Sequence, residues 1–143
     1  MLTRSEHWQS HLAQYLIANR ATPFKYGSFD CCLFACNAIL AMTGTDPAAT
    51  FRNKYTSRAQ AYAAIKAQAG TASVLAITEA ITTKLGMPPV PLGRAQRGDL
   101  AIIQRPSDYS LGIVGMDGTT VIVCAENGLG RVPLTTALKA WKV

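Results

Sequence analysis

No apolar run in these 143 residues approaches the ~18 that a membrane-spanning helix needs, so no such helix is expected. The opening residues, Met1 to Trp8, lack the short apolar stretch of a secretory signal. That predicts a protein made in a cytoplasm and kept there until it joins something larger. Cysteine is scarce: four residues are too few for a disulfide scaffold in a chain of this length, and a reducing compartment keeps them as thiols. Histidine is scarcer still, with only His7 and His11. Repeats and low-complexity tracts are missing as well. The formal charge of +6 comes from scattered residues such as Arg52, Lys66, Arg94, Arg131 and Lys142, with no basic run and no interleaved aromatics. A nucleic-acid partner is therefore not expected, and the excess reads as a solvated basic surface.

What is present is enough apolar material for a core. Hydrophobic residues make up 49% of the chain, and one domain over residues 1–143 can bury roughly two-thirds of its unfolded surface. Thr3 and Glu6 have the spacing of a capping box, and Trp8, Leu12, Tyr15 and Leu16 follow at helical intervals. These predict a first helix from about Ser5 to Asn19. Pro23 and Gly27 bracket a loop, after which the Asp30 carboxylate can accept the free amide protons of a second helix, about Cys31 to Met42, closed by Gly44. Its apolar residues occupy every face, as in a helix buried on all sides. Two more helices are expected from about Ser57 to Ala69 and Ser73 to Leu85, each followed by glycine.

Met87 to Gly93, rich in proline and glycine, divides this half from the next. From Asp99 the pattern changes to short β-branched runs at Leu100–Ile103, Leu111–Gly115 and Thr119–Cys124, with Asp117-Gly118 as a hairpin turn. A fourth short strand around Arg131-Val132 and a last helical turn at Thr136 to Trp141 complete the expectation. Helices first and an antiparallel meander second define an α+β fold.

Three of the cysteines fall within Phe29-Asp30-Cys31-Cys32-Leu33-Phe34-Ala35-Cys36. A thiol in the first turn of a helix meets free N–H groups and the positive end of the helix dipole, which lower its pKa. Cys31 holds that position and is open to two roles, a reactive thiol or a packing residue. Cys32 and Cys36, four residues apart, read as small hydrophobes on one buried face. A metal site built on Cys31, Cys32, Cys36 and Cys124 is disfavoured, because adjacent helical side chains point about 100° apart and cannot converge on one ion. No cofactor and no metal are expected. His7 and His11 read as polar-face residues of the first helix.

An aromatic residue and Asp-Cys opening a buried helix, then Gly98-Asp99-Leu100 at a strand start and Leu111-Gly112-Ile113-Val114-Gly115 in the next strand, resemble the NlpC class of papain-like cysteine peptidases. The chain also resembles a family encoded in phage and prophage tail-gene clusters. The residues in common are Pro23-Phe24 to Asp30-Cys31, Thr43 to Pro47, Arg97 to Asp99 and Ala140 to Val143. The resemblance implies an NlpC/papain-like fold, with a helical N-terminal half whose buried Cys-bearing helix packs on a small C-terminal antiparallel sheet. It implies Cys31 in the nucleophile position, a histidine two residues before the Gly-Ile of the second strand, and a third polar residue near the end of the following strand.

Serine stands where that histidine belongs, at Ser110, and Tyr109 and Leu111 beside it are no substitute. Glu126 is a candidate for the third polar position, with Cys124 the alternative. A hydroxyl cannot act as general base near neutral pH, so an active site would need the first helix to fold back and present His7 or His11 to Cys31. The expectation is a structural or assembly component of a phage tail tip, carried in the virion, bound to tail-tip and hub proteins and built on a degenerate peptidase domain. The alternative is a working cysteine hydrolase that cuts peptidoglycan stem peptides during phage entry.

Overall fold

The computed structural model describes residues 2–143. Four helices come first: α1 (Trp8–Ala18), α2 (Cys31–Thr43), α3 (Arg58–Ala69) and α4 (Val74–Lys84). Six strands follow: β1 (Pro89–Val90), β2 (Leu100–Gln104), β3 (Tyr109–Val114), β4 (Thr120–Ala125), β5 (Gly128–Pro133) and β6 (Ala137–Trp141). The architecture is α+β, as the order of periodicities in the sequence predicts.

Helix α2 is the axis of the molecule. The Asp30 carboxylate accepts the Leu33 N–H at 2.9 Å at its start, and Gly44 stops it in the left-handed conformation, φ +78°, that glycine adopts without strain. Leu33, Phe34, Ala35, Ala38 and Met42 have no exposure at all, and Cys32 and Cys36 are buried beside them. Each large side chain buried in this way contributes roughly 1.5–3 kcal/mol. Ser57 and Ser73 cap α3 and α4 through their hydroxyls, accepting from Gln60 and Ala76.

Helix α1 lies antiparallel on α2, with Leu12 and Leu16 buried. It starts at Trp8 rather than Ser5, and the predicted capping box does not form: His7 is the cap residue and supplies no side-chain bond. The reason is tertiary. The Ser5 N–H donates instead to Met42 O at 2.8 Å, which docks the preceding segment on the last turn of α2.

The sheet has the strand order β1-β6-β2-β3-β4-β5. Strands β2 to β5 form the expected meander, every neighbouring pair antiparallel. The helical turn expected at Thr136 to Trp141 is instead strand β6, preceded by a single helical turn at Leu134–Thr136. Ala137, Ala140 and Trp141 are buried there, and β6 pairs with β2 on one side and β1 on the other. Pairing partners nearly forty residues away override a short apolar run that reads equally well as a helix. The Pro-rich divider also contributes β1, and the fourth strand is longer than expected.

Both faces of the sheet are covered. Leu100, Ile102, Leu111, Ile113, Ile122 and Cys124 pack toward the helices. Ala101, Ile103, Val114, Val121 and Val123 form a second cluster closed by Leu92, Ala95, Val132 and Leu134. No helix among the described residues is long and apolar enough to cross a membrane.

Candidate functional site

The Phe24 to Asp30 loop is driven as a wedge into the end of the sheet. Gly115 N–H donates to Thr120 O on β4, whereas Val114 N–H turns the other way to Asp99 O. By alternation the N–H of Leu111 also faces β4. The β3–β4 ladder ends at Gly112 and Val123, one step short of a Leu111–Cys124 pair, while Cys124 continues to pair with Leu129 on β5. Strand β4 has parted from β3, and the start of α2 sits in the gap. Two bonds fix the wedge: the Cys124 thiol donates to Phe29 O at 3.3 Å, and Phe24 N–H donates to Glu126 O at 3.4 Å.

Asp30 holds the wedge from below. One carboxylate oxygen caps Leu33; the other accepts the Gly27 N–H at 3.1 Å and the Tyr55 hydroxyl at 2.5 Å. Gly27 is obligatory here, since its φ is +85° and a Cβ would run into the Tyr55 carbonyl. Asp30 is only 4% exposed, and the three hydrogen bonds it accepts all go to this scaffold.

Cys31 is the first residue of α2 and half-buried; Cys32, Cys36 and Cys124 are buried, and all four cysteines are free thiols. The Cys31 thiol is held below its ordinary pKa. The strongest cause is the hydrogen bond from the Cys32 S–H, with the Leu111 N–H and the Ser110 hydroxyl adding to it; burial and the Asp30 charge oppose them. Cys32, as the donor in that bond, is pushed well up. Burial raises Cys36 and drives Cys124 up to about 12. One cysteine of the four is thus tuned toward thiolate and the other three away from it.

The structure places Cys31 and Ser110 in the lining of one cleft. It does not bring either histidine to them. His7 and His11 are exposed, and neither lines the cleft that holds Cys31. The expectation that α1 could fold back to offer an imidazole is not met, because α1 enters beside Met42, about 16 Å along α2 from Cys31. His11 faces Ser5 Oγ at 3.3 Å. Glu126 is exposed on the cleft rim, and Cys124, the other candidate for the third polar position, points its thiol at Phe29 O.

The cleft above Cys31 has a volume of about 500 Å³. One wall is the inner side of α3, with Ala61, Tyr62 and Ile65; the other is Asp108 of the β2–β3 turn and Tyr109 at the start of β3; Phe24 and Tyr26 form the lip. The two lip rings meet edge to face at 4.8 Å, and the Arg58 guanidinium lies 5.3 Å from the Tyr62 ring. The sequence carries no local signal for Tyr55, Arg58 or Tyr62, because loop closure over some 25 residues is what brings them to the cysteine. Among the described residues no group of His, Cys, Asp and Glu is arranged to hold a metal ion.

A helix opened by a thiol, wedged against an antiparallel sheet, is the arrangement of the NlpC/p60 fold. The chain is similar to the solved structure described as the NlpC/p60 domain of peptidoglycan hydrolase SagA, with a TM-score of 0.55 and 15% identity over 95% of this chain and 96% of that one. The likeness establishes the fold. The chain belongs to the family described as Domain of unknown function (DUF6950), whose model matches residues 3–143. No curated protein matches it.

Proposed function

We propose that the protein is an NlpC/p60-like domain silent toward peptide bonds, which serves through its binding surfaces as a structural or assembly component of a phage tail tip. The observation that supports the first half is the pairing of Cys31 with Ser110 where an imidazole would have to stand. Amide cleavage needs a proton delivered to the departing amine; a serine hydroxyl cannot supply it near neutral pH, and no imidazole lines the cleft. Losing such a group removes several orders of magnitude of rate. The tail-tip half rests on the motifs from Pro23 to Cys31, Thr43 to Pro47, Arg97 to Asp99 and Ala140 to Val143. Its partners would then be tail-tip and hub proteins, and its location the virion.

Two measurements test this reading. Purified protein incubated with peptidoglycan sacculi should release no new amino termini above a blank. Antibody against the protein should detect it in purified virions of the encoding phage at a fixed small copy number; particles that lack it would remove the tail-tip role. A second reading is favoured by the lowered pKa of Cys31 and by the SagA likeness: a working cysteine hydrolase of peptidoglycan stem peptides. Release of amino termini that stops in Cys31→Ala would establish it in place of the first.

A further inference from the structure

Two guanidinium groups line the cleft from opposite walls: Arg58 opens α3, and Arg105 stands in the β2–β3 turn. Both are exposed. The ion pairs among the described residues are Arg4–Asp99, Arg52–Asp46, Arg131–Asp117 and Lys139–Glu79, so neither cation is neutralised within the chain. Of the carboxylates at the cleft, Asp30 is buried under its scaffold bonds and Asp108 accepts the Tyr109 N–H at 2.6 Å; Glu126 is the third. Low-dielectric walls concentrate the field of charges at a cleft mouth, so unpaired cations there favour an anion. The walls also select what the anion is attached to. Rings stand on three sides, with Phe24 and Tyr26 at the lip, Tyr62 on α3 and Tyr109 at the start of β3. The Arg58 guanidinium, 5.3 Å from the Tyr62 ring, is held where a carboxylate beside a bound ring would meet it.

We propose that the cleft is the docking site for a short acidic segment of a partner protein, in which an aromatic side chain stands next to an aspartate or glutamate. The ring enters between the tyrosines, and the carboxylate meets Arg58 and Arg105. This rests on the reading above that the domain serves through its binding surfaces. Charge complementarity selects the occupant: the chain carries a formal +6, and two of its unpaired cations face each other across an aromatic cavity of about 500 Å³. An acidic partner is steered toward such a surface and then held in register by the local pairs.

The test titrates the full chain at low ionic strength with the peptide acetyl-Gly-Trp-Glu-Gly-amide, followed by amide chemical shifts in nitrogen–proton correlation spectra. Shifts should concentrate at cleft residues such as Tyr62 and Tyr109. The peptide should bind at least about fivefold more tightly than its Trp-Gln counterpart, and about 0.5 M sodium chloride should remove most of that difference. Arg58→Gln combined with Arg105→Gln should abolish the preference for glutamate, and Glu126→Gln should increase it. Arg94→Gln, outside the cleft, should leave it unchanged. No binding, equal affinity for the two peptides, or a preference that survives both arginine changes would overturn the proposal. Indole-3-propionate binding as tightly as the peptide would overturn it too, by assigning the cleft to a small acid. These outcomes leave the reading of an amide-silent domain intact; that reading falls instead if sacculi release amino termini in a Cys31-dependent manner.

Discussion

Tyr55 donates its hydroxyl proton to Asp30 Oδ2 at 2.5 Å, across 25 residues of chain, and both groups are buried. The bond ties the segment leading into α3 to the cap of α2, and so to the position of Cys31. Burial first, and the Asp30 bond second, raise the Tyr55 pKa far beyond any working pH, so the phenol remains a donor.

Tyr55→Phe should therefore destabilise the fold by about 1–3 kcal/mol, the cost of leaving a buried carboxylate one donor short. Asp30 would keep its Gly27 and Leu33 bonds. A fall in the urea midpoint at unchanged slope is the expected result. An unchanged midpoint would mean that the phenol is a packing residue only.

The four thiols should separate by reactivity. Iodoacetamide should modify Cys31 first, with a pH dependence whose midpoint lies below about 8.5, while the other three react only after unfolding. Since the Cys32 S–H is the strongest influence lowering Cys31, Cys32→Ala should move that midpoint upward. Mass mapping after timed quenching reads both results. A midpoint left in place by Cys32→Ala would rule out the thiol–thiol bond as the cause.

The same shifts fix the sign of a stability change in alkali. Cys32, Cys36 and Cys124 have folded pKa values above the unfolded value of roughly 8.5. Each contributes stability that is complete below about 8.5 and is lost as the pH climbs toward the folded value, because the unfolded chain releases its proton first. Cys31, shifted the other way, contributes stability above about 8.5 that is lost as the pH falls through its folded value. Three groups outweigh one, so the urea midpoint should be lower at about pH 9.5 than at about pH 7.5. Cys36→Ala should show a shallower fall, whereas a wild-type midpoint that rises over that interval would contradict the assignment.

Ser110→His places an imidazole in β3 beside the Cys31 sulfur, in the position that the peptidase motif prescribes. If the missing base is what silences the site, this change alone should raise cleavage of a stem-peptide amide by on the order of 10² over the native chain. The signal should vanish in the double variant with Cys31→Ala. A folded Ser110→His protein with no gain would show that the scaffold has lost more than its base.

Much of this was legible in the residues themselves. Asp30 as cap, Gly44 as stop and the all-round apolar face of α2 are local signals, and the structure reproduces them nearly residue for residue. The proximity of Ser110 to Cys31 was legible through motif spacing. The rest depends on long-range pairing. Ala137 to Trp141 became a strand because β2 offered an unpaired edge, and Ser5 abandoned its capping box because Met42 O was within reach. The parting of β3 from β4 beyond Gly112 has no sequence signature, since Cys124 and Ala125 still pair with β5.

Arg4 closes the molecule at the end opposite the cleft. Its guanidinium donates to Asp99 Oδ1 at 2.8 Å and to Val143 O at 2.9 Å, and it lies 4.1 Å over the Trp8 ring. Asp99 also accepts from Gln96 N–H at 2.9 Å, and its side chain is only 5% exposed. Arg4→Met would keep much of the packing on Trp8 but leave that carboxylate without its cation. The expected cost is about 3 kcal/mol, at the low end for breaking a buried pair because Arg4 itself is partly exposed. Asp99→Asn combined with Arg4→Met should cost less than the sum of the single changes, since removing both charges leaves none stranded. A double-mutant cycle in urea measures the coupling, and strict additivity would show that the pair contributes through shape and not through charge.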